Sequence, residues 1–221
     1  MHSSTRANTS IPLRIADEVR ELVARGTLAP DMKLGQTELA ERFDTSRIPV
    51  REALKLLMAE GIIVHRVNRG FFVAKLSSDE ARQLFKLRQL IEDELLATSR
   101  WPTETELAEL SKRASELETL LNAGNRAQWW LKHREFHQKI FDLSPEKVIV
   151  REAMRLWILT DRYRSLLPLP KRSSAERTVV RKHGLVQALM ARDRAQLLRE
   201  RAKRRQQFER MVLDVLQSRG L

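Results

Sequence analysis

Arg47, Arg51 and Lys55 recur every four residues in SRIPVREALKLLMAEG (46–61), so on a helix they form one basic stripe. Val50, Ala53, Leu54, Leu57 and Met58 make a separate apolar face for burial. Ser46 can cap this helix, and Pro49 lies in its first turn, where a missing N–H costs little. A helix so presented can enter a major groove, where arginine forks read guanine O6 and N7 and the N-terminal residues reach deepest. QTELAERF (36–43) precedes it as a short helix with Leu39, Ala40 and Phe43 inward, followed by a break at Asp44 and Thr45. IIVHRVNRGFFV (62–73) follows as a strand, a turn at Asn68, Arg69 and Gly70, and a second strand. Such a hairpin sets Arg69 against the backbone or in the minor groove, and Gly70 permits the tight turn. Each piece alone is common, since a basic stripe is most often a solvated face. The order helix, turn, capped basic helix and basic-tipped hairpin is far more specific.

A second cluster lies downstream. In the segment 126–142, Trp129, His133, Phe136, His137 and Ile140 share one helical face, so two histidines four residues apart point inward and can chelate one ion. His183 falls between Val179 and Val186 on an expected helix, and Arg204 falls with Leu197, Arg201, Phe208, Met211 and Val215 on the last one. Arg88 sits between Leu84, Leu87 and Ile91. Buried charges without partners are costly, and Glu92, Glu135 and Asp161 are available as internal ones. Two chemistries stand beside that plain pairing. Either His133, His137 and His183 hold a divalent metal, zinc or nickel, with open positions for an anion, or no cofactor is present and Arg204 with Arg88 binds an acidic effector directly. The bidentate fork that arginine offers a carboxylate favours the second. Arg162 and Arg164 around Tyr163 are further candidates for a pocket wall, a solvated face being the simpler reading.

The elements that must position these residues are mainly helical. The chain has 221 residues, 42% of them apolar, with only 7 Gly and 7 Pro. Residues 1–10 read as a flexible N-terminus, 11–75 as three short helices and a two-stranded ribbon, and 79–218 as an antiparallel six-helix bundle. Its helices are expected at 79–100, 104–122, 126–142, 146–167, 174–192 and 194–218, with breaks marked by Pro102 and Thr103, by Gly124, by Pro145 and by PLPKRSS (168–174). The absence of Cys excludes disulfides, thiolate nucleophiles and Cys-ligated zinc. No stretch approaches the roughly 18 apolar residues of a membrane span, and MHSSTRANTS has no apolar core for a signal peptide, so a cytoplasmic protein with no membrane partner is expected. The net charge of +12 favours polyanions, although residues 1–75 carry only +3 of it.

SRIPVREALKLLMAEGIIVHRVNRGFFV resembles the winged helix-turn-helix of GntR-type bacterial transcription regulators, which show a similar S-R-T-P-V-R-E-A-L run and an N-R-G wing. The resemblance covers residues 11–74. It implies that Ser46, Arg47 and Arg51 touch phosphates and bases, that Thr37 contacts the backbone, and that Asn68, Arg69 and Gly70 form the wing tip. Ile48 stands where the family usually has Thr, which removes a hydroxyl donor and changes the expected operator choice. Residues 79–217 resemble the effector domain of the FadR-type branch, the FCD domain, in its shorter, VanR-like six-helix form. Many such domains carry metal sites built from Asp-x-x-x-His and two later His, with a carboxylate effector beside the metal. Here His133 replaces the Asp, His137 matches the first His, Lys182 aligns with the third ligand one residue before His183, and the fourth position falls on Arg204, which cannot ligate a cation.

The reading that results is a ligand-responsive transcription regulator, a repressor, that binds a palindromic double-stranded operator as a homodimer and answers to a small carboxylate effector. A metal-dependent enzyme on the His cluster is the alternative from another class, but no nucleophile motif, GxGxxG or phosphate loop accompanies it. A nonspecific or architectural nucleic-acid binder is the other. It lacks a stacking face, since the chain has one Tyr and its Trp residues are dispersed.

Overall fold

The computed structural model describes residues 10–167 and 183–221. It forms two compact units, one running up to Ser77 and taking in Asp161–Leu166, the other holding Ser78–Thr160 and the C-terminal helices.

In the first unit, α1 (Ile11–Ala24), α2 (Gln36–Arg42) and α3 (Arg47–Ala59) pack around a core that draws Val19 and Val23 from α1, Leu39 from α2 and Leu54 and Leu57 from α3. Arg20 of α1 clamps Glu60, just past α3, through Nε at 2.6 Å and Nη2 at 2.5 Å. The turn between α2 and α3 holds Asp44 at φ 47°, with the Thr45 N–H donating to the Ala40 carbonyl. The sheet has three strands rather than the two expected. β1 (Lys33–Leu34), β2 (Ile63–Arg66) and β3 (Gly70–Val73) are antiparallel in the order β1-β3-β2, with Arg66 opposite Gly70 and Leu34 opposite Phe71. Two residues of β1 are too few to show an alternating pattern.

The second unit contains α4 (Ser78–Thr98), α5 (Glu104–Asn122), α6 (Arg126–Phe141), α7 (Lys147–Arg164), α8 (Gly184–Met190) and α9 (Arg194–Ser218), the last turn of α7 belonging to the first unit. α9 packs along α4, α6 along α5, and α8 against both α9 and α5. The α5 start is the one the sequence marks: Thr103 and Glu106 form a reciprocal capping box, and Arg100 grips Glu106 with both nitrogens, at 2.8 and 2.5 Å. Leu110, Ala114 and Leu117 are buried on the face their spacing indicates, against Phe136, Ile140 and Trp157. Of the helix expected over 174–192, the part before residue 183, with Val179 and Lys182, lies outside the described residues. His183 is the N-cap of α8 and not an interior stripe position.

Candidate functional site

On α3 the buried face is Val50, Ala53, Leu54 and Leu57, whereas Met58 is 43% exposed and does not join it. Arg47, Arg51 and Lys55 are exposed on the other side. Ser46 is the N-cap by position, but its hydroxyl makes no capping bond and is exposed, as is Thr37 in the first turn of α2. Glu52 sits between two of the basic groups, 3.2 Å from Lys55 Nζ and 4.0 Å from Arg51 Nε. Exposed pairs of this kind hold weakly, so both cations can turn to a phosphate.

The wing reverses over residues 67–69. The Arg69 N–H donates to the Arg66 carbonyl at 3.0 Å, with Asn68 at φ 58° and Gly70 at φ 93°, both left-handed. At its base Arg66 bonds Asp31 and lies 4.2 Å from the Phe72 ring centroid, and Lys75 reaches Asp31 at 3.6 Å. The bond from Arg66 holds the Asp31 carboxyl below its ordinary range. Arg69 is exposed, 5.7 Å from the same ring.

In the helical unit Arg88, one of the residues singled out for an effector, meets Arg201 and Arg205 around an acid whose role the sequence left open. Glu92 of α4 is fully buried. Its carboxylate accepts from Arg88 Nε at 2.9 Å and Trp157 Nε1 at 2.7 Å, and pairs with Arg201 Nη2 at 2.7 Å and Arg205 Nη1 at 3.4 Å. Burial opposes its ionisation, but the charges of Arg201 and Arg88 outweigh that and hold its pKa at about 2. Arg88 also donates to Thr160 Oγ1 at 2.7 Å and lies 4.3 Å from the Trp157 ring. These bonds make it the brace of Glu92, which removes the expectation that it offers its fork to an effector.

On α9 the inward arginines are Arg201 and Arg205, neither above 4% exposed, and Arg205 also reaches Asp93 at 3.0 Å. Arg204, expected to point inward with Arg201, is exposed, yet its charge bears on His183 and His137. Met211 is likewise exposed, and the stripe runs Leu197, Arg201, Arg205, Val212 and Leu216. The registry is that of residues four apart, and Arg88/Glu92 on α4 and Arg201/Arg205 on α9 repeat it. That signal in the sequence could have found Arg205.

His133 stacks on Trp129 at 4.6 Å and meets His137 edge-on at 4.7 Å. His137 is 1% exposed, 4.7 Å from the Trp157 ring, and His183 lies 4.8 Å from Phe136. Burial pushes the His137 pKa well below the ordinary imidazole range, helped by the charges of His133 and Arg201, and burial with Arg204 pushes His183 down to about 3. Among the described residues His137 Nδ1, His183 Nδ1 and Arg201 Nε are buried without a hydrogen-bond partner. Such atoms each cost about 1–3 kcal/mol when left unpaired, and the charge of Arg201 bears on both histidines.

The arginine charges that bear on these histidines suit an anion better than a cation. No three His, Asp or Glu side chains among the described residues are placed as a metal-binding group, so His133, His137 and His183 do not form the chelate their spacing suggested. The adjoining charges are those of Arg201 and Arg204, which repel a metal ion. Glu135 is no internal partner, binding Lys132 at 3.1 Å and Arg113 at 3.3 Å. Arg162, Tyr163 and Arg164 do not form a solvated face. All three are buried in the first unit, Arg162 donating to the Gly61 carbonyl, Tyr163 to that of Ser77 and Arg164 to Asp161. No helix among the described residues is long and apolar enough to cross a membrane.

The sequence matches bacterial regulatory proteins of the gntR family over residues 12–73 and the FCD domain over residues 83–204. It is 32% identical to the HTH-type transcriptional repressor GlaR of Escherichia coli over 148 residues, 64% of this chain and 67% of that one. It is 27% identical to the HTH-type transcriptional regulator YdhC of Bacillus subtilis over 136 residues, 60% of each chain, so the match spans less than two thirds of that relative. The fold is that of E. coli McbR/YncC, with a TM-score of 0.76 at 23% identity over 93% of this chain and 98% of that one. A protein described as a GntR regulator from Rhodococcus sp. RHA1 superimposes with a TM-score of 0.72 at 21% identity, over 93% and 99%. With a helix-turn-helix and wing over one match and an all-helical FCD domain over the other, this chain belongs to the GntR family of bacterial transcription regulators.

Proposed function

We propose that this regulator is a repressor that binds a palindromic operator as a homodimer and is released by a small carboxylate effector held in the helical domain. Residues 11–75 serve as the DNA-binding domain and residues 79–218 as the effector-binding and dimerisation domain. The observation that carries the reading is the exposed arc of Arg47, Arg51 and Lys55 on α3, with Arg69 at the wing. The N-terminal turn of α3 enters the major groove, Arg47 and Arg51 read bases, Ser46 and Thr37 bind phosphates, and the turn of Asn68, Arg69 and Gly70 follows the neighbouring groove. Two copies related by a two-fold axis then contact two equivalent half-sites.

The effector half rests on Arg201, His137 and His183, which have buried unpartnered nitrogens, the charges of Arg201 and Arg204 bearing on both histidines. A carboxylate there accepts from the Arg201 guanidinium, with Arg204 contributing long-range attraction and His133 stacked on Trp129 forming the adjoining wall. No metal takes part. The effector lowers operator affinity by binding more tightly to the arrangement of the two DNA modules that fits the operator less well. The test is selection of a preferred duplex from a random library by the full-length chain, then release of that duplex and thermal shifts with a panel of mono- and dicarboxylates. A symmetric preferred sequence, and a carboxylate that releases it in the parent but not in Arg201→Gln, support the reading. A preferred sequence without symmetry, or a panel that acts equally on the variant, refutes the corresponding half.

A further inference from the structure

Two of the large apolar side chains are more exposed than all others among the described residues, and both stand in the DNA-facing elements: Val67 in the wing turn at 78% and Ile48 in α3 at 67%. The fold does not need Ile48. It is the second residue of α3, where a β-branched side chain adds little to helix formation, and it buries nothing against Val50, Ala53, Leu54 or Leu57. At about 100° per residue it falls with Arg47, Arg51 and Lys55 in an arc of roughly 100°, at the end of that arc farthest from the buried face. An isoleucine surrounded by three cations is a poor docking patch for a protein or a lipid. The charges around it commit the surface to a polyanion, and the turn it occupies is the one that reaches deepest into a major groove.

Within that groove nearly every base-edge group is a hydrogen-bond donor or acceptor, and the prominent apolar group is the 5-methyl of thymine. Resting on the proposed DNA-reading role of α3, we propose that Ile48 is a specificity-determining residue that packs on a thymine 5-methyl in each half-site, between the bases or phosphates bound by Arg47 and Arg51. Operator choice then combines arginine forks with one apolar contact per half-site. A threonine at this position would carry one methyl and a hydroxyl that donates to base acceptors, whereas isoleucine selects by methyl contact and leaves any acceptor in front of it unsatisfied. A·T pairs with the thymine on one particular strand are therefore preferred at that position, and cytosine is disfavoured.

The experiment uses the full-length chain and the duplex it selects from a random library. Each thymine is replaced in turn by deoxyuridine, which removes the 5-methyl and keeps every donor and acceptor. For the parent, one thymine per half-site is expected to lose roughly fourfold in affinity on this exchange, the value of one buried methyl. Ile48→Ser, a substitution of an exposed residue that leaves the melting temperature unchanged, is expected to bind the thymine and deoxyuridine duplexes equally. Equal tolerance of deoxyuridine by the parent at every position overturns the proposal, as does a penalty that persists in Ile48→Ser. Selection that yields no preferred sequence has a different meaning, since it removes the sequence-reading role of α3 itself and the Ile48 contact with it.

Discussion

Glu92 and Arg201 face each other across α4 and α9 as an ion pair with Oε2 to Nη2 at 2.7 Å, the acid fully buried and the base 4% exposed. Arg88 and Arg205 flank the same carboxylate, so one acid offsets three buried guanidinium groups with partial help from Asp93. Removing that acid leaves the arginines uncompensated. Glu92→Gln is expected to destabilise the helical domain by about 3–5 kcal/mol, lowering the melting temperature by on the order of 10 °C. Thermal unfolding checks this, with Glu135→Gln as a surface control that changes little.

Acid sensitivity follows from the same region. His137 and His183 stay neutral in the folded chain, the latter down to about 3, while in the unfolded chain they take up protons below about 6.5. The unfolded state thus binds more protons at lower pH, so their stabilisation is full above about 6.5 and lost as pH falls below it. Glu92, held at about 2, adds a second loss that begins only below about 4.3. Melting temperatures should be level between pH 7 and 8 and decline from about 6.5 downward. His183→Asn, neutral and suited to the N-cap, should flatten the decline, and an unchanged slope would contradict the account.

Arg51→Ala is expected to reduce affinity for the selected duplex by about 1–3 kcal/mol, and affinity for random duplex by less. Filter binding or fluorescence anisotropy at a fixed salt concentration measures both. An equal loss on both duplexes would make Arg51 a phosphate contact.

Glu52→Gln acts in the opposite direction. It frees Lys55 and Arg51 from their weak partner, so binding to any duplex should tighten severalfold at low salt and the gain should shrink as salt rises. A gain independent of salt would point away from electrostatics.

Metal addition supplies a further check. With no chelating set among the described histidines, zinc or nickel at one equivalent should leave the melting temperature unchanged, and so should EDTA. A stabilisation lost in His137→Asn would reinstate the three-histidine site.

The helix-turn-helix was legible in the sequence because its signals are local: Ser46 stands at the N-cap position and Pro49 in the first turn of α3, and its buried and basic faces separate at helical spacing. Asn68 and Gly70 announced the wing for the same reason, their left-handed φ angles suiting those residue types. The effector region was legible only in part. Periodicity brought His133, His137 and Arg201 to the bundle interior, but a residue on the shoulder of a stripe is assigned by its neighbours across the interface, which spacing does not contain. Arg204 and Arg205 exchanged places for that reason. Glu92 carried equal weight with Glu135 in the sequence, and only the meeting of α4, α7 and α9 singles it out.

The tethered base of the wing bears on the thermodynamics of association. Because Arg66 is already bound to Asp31 and laid over Phe72, the hairpin has no folding left to complete when it meets a duplex. Under the proposed DNA-reading role, the wing and α3 lose freedom at the tip and in the long side chains of Arg47, Arg51, Lys55 and Arg69, about 0.5–1.5 kcal/mol for each one immobilised. For the wing, association then approaches rigid docking, with a heat-capacity change in proportion to the surface it covers and no excess from folding of the hairpin.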